Sequence, residues 1–154
     1  VIMSHYTSTE KYSYQKINRF FVEQIPQLET PIINDKHNCV SVGPYRVITN
    51  GKLFEVWQSR RMLHEFSRRS WGVGYAVCMY RRDNKTAAQL IDIDRQYTRL
   101  DQERYIYKHH IDVSKESNNT IRKGILECRL SRTDNEIFAL EQQAKTILKN
   151  IHIG

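Results

Sequence analysis

Two runs rich in β-branched and aromatic residues, 45–49 and 52–57, meet at Asn50-Gly51. Both central residues of a two-residue type I′ hairpin need φ > 0, which Asn and Gly tolerate best, so the pattern predicts a hairpin closing there. Folding the strands about that turn pairs Thr49 with Lys52, Ile48 with Leu53, Val47 with Phe54, Arg46 with Glu55 and Tyr45 with Val56. Because side chains alternate, Tyr45, Val47, Phe54 and Val56 share one face, which is apolar enough to be core. Arg46, Ile48, Leu53, Glu55 and Trp57 form the other, mixed face, with Arg46 and Glu55 as a cross-strand ion pair. Residues 58–61 read as a turn and 62–66 as a third strand. Ser67 is a good N-cap for a helix over about 68–81. Gly72 and Gly74 weaken that helix, and a glycine pair in a helical pattern marks close backbone approach. VGYAVCMY is also β-compatible, so a strand over 73–80 stays open.

On either side of this unit the period is helical. Ile17, Phe20, Phe21 and Ile25 make one apolar face of a helix starting near Thr9 and stopped by Pro26. Residues 27–38 read as a loop, and 39–42 as a short strand broken at Gly43-Pro44. Downstream, Leu90, Ile93, Tyr97, Leu100, Tyr107 and Ile111 mark a heptad seam interrupted by Arg104. A polar stretch over 112–119 reads as a loop. Leu126, Leu130, Thr133, Ile137, Leu140, Ala144, Ile147 and Ile151 then alternate in steps of four and three, as a coiled-coil seam does. A loop between two long helices predicts an antiparallel hairpin. On this reading the second helix outruns the first, so Ile137, Leu140, Ala144, Ile147 and Ile151 form an oligomer interface. The expected fold is α+β: an N-terminal helix and loop (1–38), a small antiparallel ββ(β)α unit (39–84), and a helical hairpin (85–154).

Charge sharpens the picture at one place. The chain carries a formal net charge of +7. Residues 51–85 hold eight basic and three acidic side chains, so most of that excess lies on the strand-and-helix unit. The pairs Arg60-Arg61, Arg68-Arg69 and Arg81-Arg82 lie beside Trp57, Phe66, Trp71 and Tyr80. Arginine forks bind phosphates and nearby aromatics stack on bases, so these six arginines are the candidate site for nucleic acid or an acidic partner. No apolar run is long enough to cross a bilayer, and the first residues hold no signal-like apolar core. Three widely spaced cysteines, Cys39, Cys78 and Cys128, fit a reducing compartment.

Nothing in the sequence carries a reaction. His109-His110 are adjacent on a helix and diverge by about 100°, unlike a chelating i, i+4 pair. His5, His37, His64 and His152 are scattered. Asp92 and Asp94 do not face each other on a helix. There is no P-loop, GxGxxG or GxSxG, and no residue set calls for a cofactor or metal. The expectation is a non-enzymatic protein.

The order strand, Asn50-Gly51, strand, turn, strand ending Glu65-Phe66-Ser67, then a helix carrying Tyr75-Ala76 resembles three-stranded-sheet DNA-binding domains. These are the ethylene-response-type domains of plants and the arm-binding domains of phage integrases. That resemblance covers about a quarter of the chain and implies groove reading from the outer sheet face. Here that face offers Arg46 and Trp57 but also Glu55, Ile48 and Leu53, a composition better suited to protein contact. A ββα unit followed by a basic helical hairpin is also similar in layout to small proteins of tailed bacteriophages. That second resemblance implies a structural protein of the virion or of its assembly, found in the virion or host cytoplasm. The expected function is oligomerisation through the hairpin with itself or other assembly subunits, without a membrane. Nucleic-acid binding through the arginine pairs is the alternative.

Overall fold

The computed structural model describes residues 32–34 and 39–151. The helix expected over about 9–25 lies outside the described residues. Five strands form one antiparallel meander in the order β1 (Ile32–Asn34), β2 (Cys39–Val42), β3 (Tyr45–Thr49), β4 (Phe54–Gln58) and β5 (Arg61–Phe66). Three helices follow: α1 (Arg69–Tyr80), α2 (Asn84–Glu116) and α3 (Thr120–Asn150). This is the α+β class with a C-terminal helix pair. The region 73–80 is helix, and the stretch expected as loop over 27–38 contributes the strand β1, whose Ile32 pairs with Val42. Its three residues are too short for a period-2 pattern to register.

The hairpin between β3 and β4 corrects the expected register by two residues. Thr49 pairs with Phe54, Ile48 with Glu55, Val47 with Val56, Arg46 with Trp57 and Tyr45 with Gln58. Residues 50–53 form a four-residue loop in which Gly51 alone has positive φ, at 97°, so the turn is not type I′. The Asn50 side chain decides this: its Oδ1 accepts from the backbone N–H of Lys52 and of Leu53, at 3.0 and 2.9 Å. Such side-chain-to-backbone bonding stabilises a turn that needs no positive φ at Asn50 itself. Since the slip is even, the faces survive: Tyr45, Val47, Phe54 and Val56 still share one side. The expected Arg46–Glu55 pair becomes diagonal. Glu55 instead accepts from Trp57 Nε1 and Asn50 Nδ2, both at 3.0 Å. A Gly51→Val variant is expected to lose about 1–3 kcal/mol, because a β-branched residue is strained at positive φ. Space is not limiting, since a Cβ there would meet nothing within 4 Å. Urea unfolding checks it.

The tight two-residue hairpins lie elsewhere. Val42 pairs with Tyr45 across Gly43-Pro44, where Gly43 has φ of 55°. Gln58 pairs with Arg61 across Ser59-Arg60, where Ser59 has φ of 56°. Between β4 and β5 the register slips at Val56/Trp57 and leaves Leu63 as the extra residue of a bulge. The bulge lets Phe66 and His64 face the same side as Val56.

Helix α1 packs on that side and is buried along 71–78. Its N-cap is Arg68, with no side-chain cap bond, and not Ser67. Gly72 lies against Val47, where an added Cβ would be 3.1 Å from Val47 Cγ1. Gly74 meets Leu148, Leu90 and Ile151. The pair does mark close approach, to the sheet on one side and to helix residues on the other. Phe66 packs between His64 and Tyr75, with ring centroids 4.5 and 5.2 Å away.

Both helix connections use one device. Arg82 and Asn118, with φ of 60° and 58°, each follow a helix end in the left-handed region. At the first, Arg82 N–H bonds Met79 O and Asp83 N–H bonds Cys78 O; at the second, Asn118 N–H bonds Lys115 O and Asn119 N–H bonds Ser114 O. Those are Schellman motifs. Asp83 and Asn119 then cap the next helix through the N–H groups of Thr86 and Arg122. Consequently α2 runs to Glu116, and the loop expected over 112–119 shrinks to 117–119. The helices have 33 and 31 residues, about 50 and 46 Å.

By contact the described residues divide into those up to Ile91 together with 148–151, and residues 92–147. The first unit holds the sheet, α1 and the ends of the helix pair nearest α1. The second is the remaining helix pair.

Candidate functional site

In the first unit the six arginines do not form one patch. Arg60 and Arg61 lie at the β4–β5 turn, which the meander places at the same sheet end as Gly43. An added Cβ at Gly43 would meet the ring of Tyr80, so the C-terminal turn of α1, with Arg81 and Arg82, is at that end too. Arg68 and Arg69 precede or open α1, 12 residues and about 18 Å away. Arg81 and Arg68 make contacts within the fold. Arg81 donates from Nη1 to the carbonyl of Ile151 at 3.0 Å, which satisfies an orphan carbonyl after α3. The Arg68 guanidinium sits 5.6 Å from the centre of the Trp71 ring, in cation–π range.

The outer sheet face carries Arg46, Ile48, Glu55 and Trp57, all half-buried. Leu53 belongs to the loop and does not pair with Ile48, so the expected exposed aliphatic pair is absent. Glu55 stands directly opposite Glu65, a like-charge pairing that strands avoid unless one partner is otherwise held. The hydrogen bonds from Trp57 and Asn50 hold Glu55.

Cys78 is fully buried, and its thiol is pushed up to about 12 by burial, with Asp83 adding to the effect and Arg81 opposing it. It is therefore a neutral core side chain and not a nucleophile. Burial also raises the hydroxyls of Tyr75 and Tyr80. The unfolded chain ionises Cys78 near its ordinary value of 9.0, whereas the folded chain holds the proton to about 12. Its contribution is thus fully present below pH 9 and is lost as pH rises toward 12. Melting temperature is expected to fall steadily above pH 9. A flat profile between pH 9 and 10.5 would contradict the burial of this thiol.

No family model, curated protein or solved structure matches this chain.

The residues expected to form an oligomer interface are mostly covered within one chain: Ile137, Leu140, Ala144 and Ile151 are buried and Ile147 half-buried. Helix α2 continues to Glu116, so the two helices are nearly equal in length, and at the far end of the seam Leu148 and Ile151 lie against Gly74 of α1. Arg104, the interruption in the first seam, reaches Asp101 and lies 3.8 Å from Asp134 Oδ1 on α3. Its guanidinium is held firmly in the charged form by the Asp101 hydrogen bond.

Sequence reasoning passed over the apolar residues outside the seam. Seven large apolar side chains are exposed among the described residues: Met62, Tyr105, Ile106, Val113, Ile121, Ile125 and Phe138. All but Met62 belong to the second unit. The signal was available: none of the six falls on a seam position of its heptad, where an ordinary solvated helix carries polar residues. Near the loop, Asn119, Ile121, Arg122, Ile125, Leu126 and Arg129 line a shallow depression of about 500 Å³. His109 and His110 lie side by side with ring centroids 5.7 Å apart. No group of three His, Cys, Asp or Glu side chains among the described residues is placed to hold a metal. No helix among them is long and apolar enough to cross a membrane.

Proposed function

We propose that this chain is a non-enzymatic assembly subunit whose helix pair is its protein-binding element. One observation carries the reading: among the described residues, six of the seven exposed large apolar side chains lie on the helix pair, outside its seam. Ile121 is 79% exposed and Tyr105 75%. Ile121 and Ile125 line one depression, and covering exposed apolar area of this kind against a partner is worth roughly 25 cal/mol per Å². The partner is another copy of the chain or a further subunit of the same assembly, and a virion component is the specific form that the layout of the chain supports. The arginines weigh less, because they fall at two ends of α1 and Arg81 and Arg68 make contacts within the fold.

Sedimentation of the purified chain from about 1 to 100 µM tests this. Mass rising with concentration is the expected result. A monomer across the whole range would overturn self-assembly. Submicromolar, salt-steep binding to duplex DNA, abolished when Arg68 and Arg69 are both replaced by Ala, would overturn the reading in favour of nucleic-acid binding.

A further inference from the structure

Helix α3 carries two triplets of opposite character on its two flanks. One is Arg122, Ile125 and Arg129, with spacings of three and four; these side chains line the depression near the loop, together with Ile121 and Leu126. The other is Asp134, Phe138 and Glu141, with spacings of four and three. Phe138 is 61% exposed, an unusual position for a phenyl ring on a helix that carries polar residues around it. The seam runs through Leu126, Leu130, Thr133, Ile137 and Leu140. Relative to it the first triplet falls on one side and the second on the other.

The two triplets match when one helix is reversed. Counting forward from Arg122, the aliphatic residue comes after three positions and the second arginine after four more. Counting backward from Glu141, the phenylalanine comes after three positions and the second acid after four more. Laid antiparallel, Arg122 meets Glu141, Ile125 meets Phe138 and Arg129 meets Asp134. In each triplet the outer residues are seven positions apart, about 10.5 Å along the helix. The depression contains no acidic lining residue and is open enough to admit an aromatic ring.

Resting on the reading of the chain as an assembly subunit, we propose that the Arg122–Ile125–Arg129 depression of one copy receives Phe138 of a second copy, flanked by Asp134 and Glu141. Complementary charge selects the antiparallel alignment and the correct flank, while the ring supplies the buried area. Asp134 keeps its half-exposed carboxylate within reach of Arg104, and the new arginine adds to that pair. Because the two halves lie on different flanks of one helix, the contact is heterologous. Each copy uses its depression for one neighbour and its phenylalanine for another, so the product is an open filament in which successive copies alternate in direction, and not a closed two-fold dimer.

Charge reversal with mixing tests the proposal. Variant one carries Arg122→Glu and Arg129→Glu; variant two carries Asp134→Arg and Glu141→Arg. Each alone sets like charges against like and is expected to sediment as a monomer. Mixed in equal amounts they restore both contacts and are expected to assemble in alternation. Phe138→Ser, at an exposed position that leaves the fold intact, is expected to weaken association about 30-fold, as loss of an aromatic hot spot does. If the natural chain assembles but these variants assemble equally well, or mixing restores nothing while circular dichroism shows both folded, this contact is wrong and the assembly reading stands. If the natural chain is a monomer throughout, both fall.

Discussion

Replacing Gly43 with alanine is expected to destabilise the chain by about 2–6 kcal/mol in urea unfolding. Two independent costs combine. Gly43 has φ of 55°, in the left-handed region where an L side chain is strained by about 1–3 kcal/mol. In addition, an added Cβ would enter the ring of Tyr80, meeting Cδ1 and Cε1. A ring cannot fold back as an aliphatic tip can, so overpacking adds about 1–3 kcal/mol. A double variant separates the two costs. With Tyr80→Ala in place the clash is gone, and Gly43→Ala should then cost only the strain. If the penalty is the same in both backgrounds, the ring does not cover the turn.

Gly74→Val is expected to cost about 3 kcal/mol. Its Cβ would collide with Leu148 Cδ2, while Leu90 Cδ1 lies at 3.3 Å and Ile151 Cδ1 at 3.8 Å. All three neighbours are buried, so none can swing into solvent. Leu148→Ala opens room on that side, and the double variant should be more stable than the sum of the two single losses. Gly124 is the control. It is an exposed glycine in α3 with nothing within 4 Å of its would-be Cβ. Gly124→Ala should therefore gain about 1 kcal/mol from helix propensity alone. Opposite signs at two helical glycines would show that packing, and not glycine as such, decides the outcome.

The same division runs through the sequence reading. Periodicity alone yields the helix pair, since the apolar steps of three and four leave few alternatives. Strand faces were also legible, because alternation assigns Tyr45, Val47, Phe54 and Val56 to one side whether or not the register slips by two. The slip itself was not legible. Asn50-Gly51 favours a tight turn on local statistics, and only the hydrogen bonds of the Asn50 side chain to the next two N–H groups select the longer loop. Strand β1 was invisible, being three residues defined by pairing with β2.

For the candidate surface, sequence determined which residues are charged and which apolar positions lie off the seam. It did not determine what remains exposed. The polarity of DVSKESNN predicts that α2 ends near Ile111, yet polar residues continue a helix readily when a Schellman motif at Asn118 closes it. The end of the seam that its spacing leaves open is covered within the chain, where Leu148 and Ile151 lie against Gly74 of α1, and Ile121, Ile125 and Phe138 remain in water. Hydrophobic spacing is a property of the chain and can be read from it. Exposure is a property of what packs beside each residue, and only the assembled helices and sheet decide that.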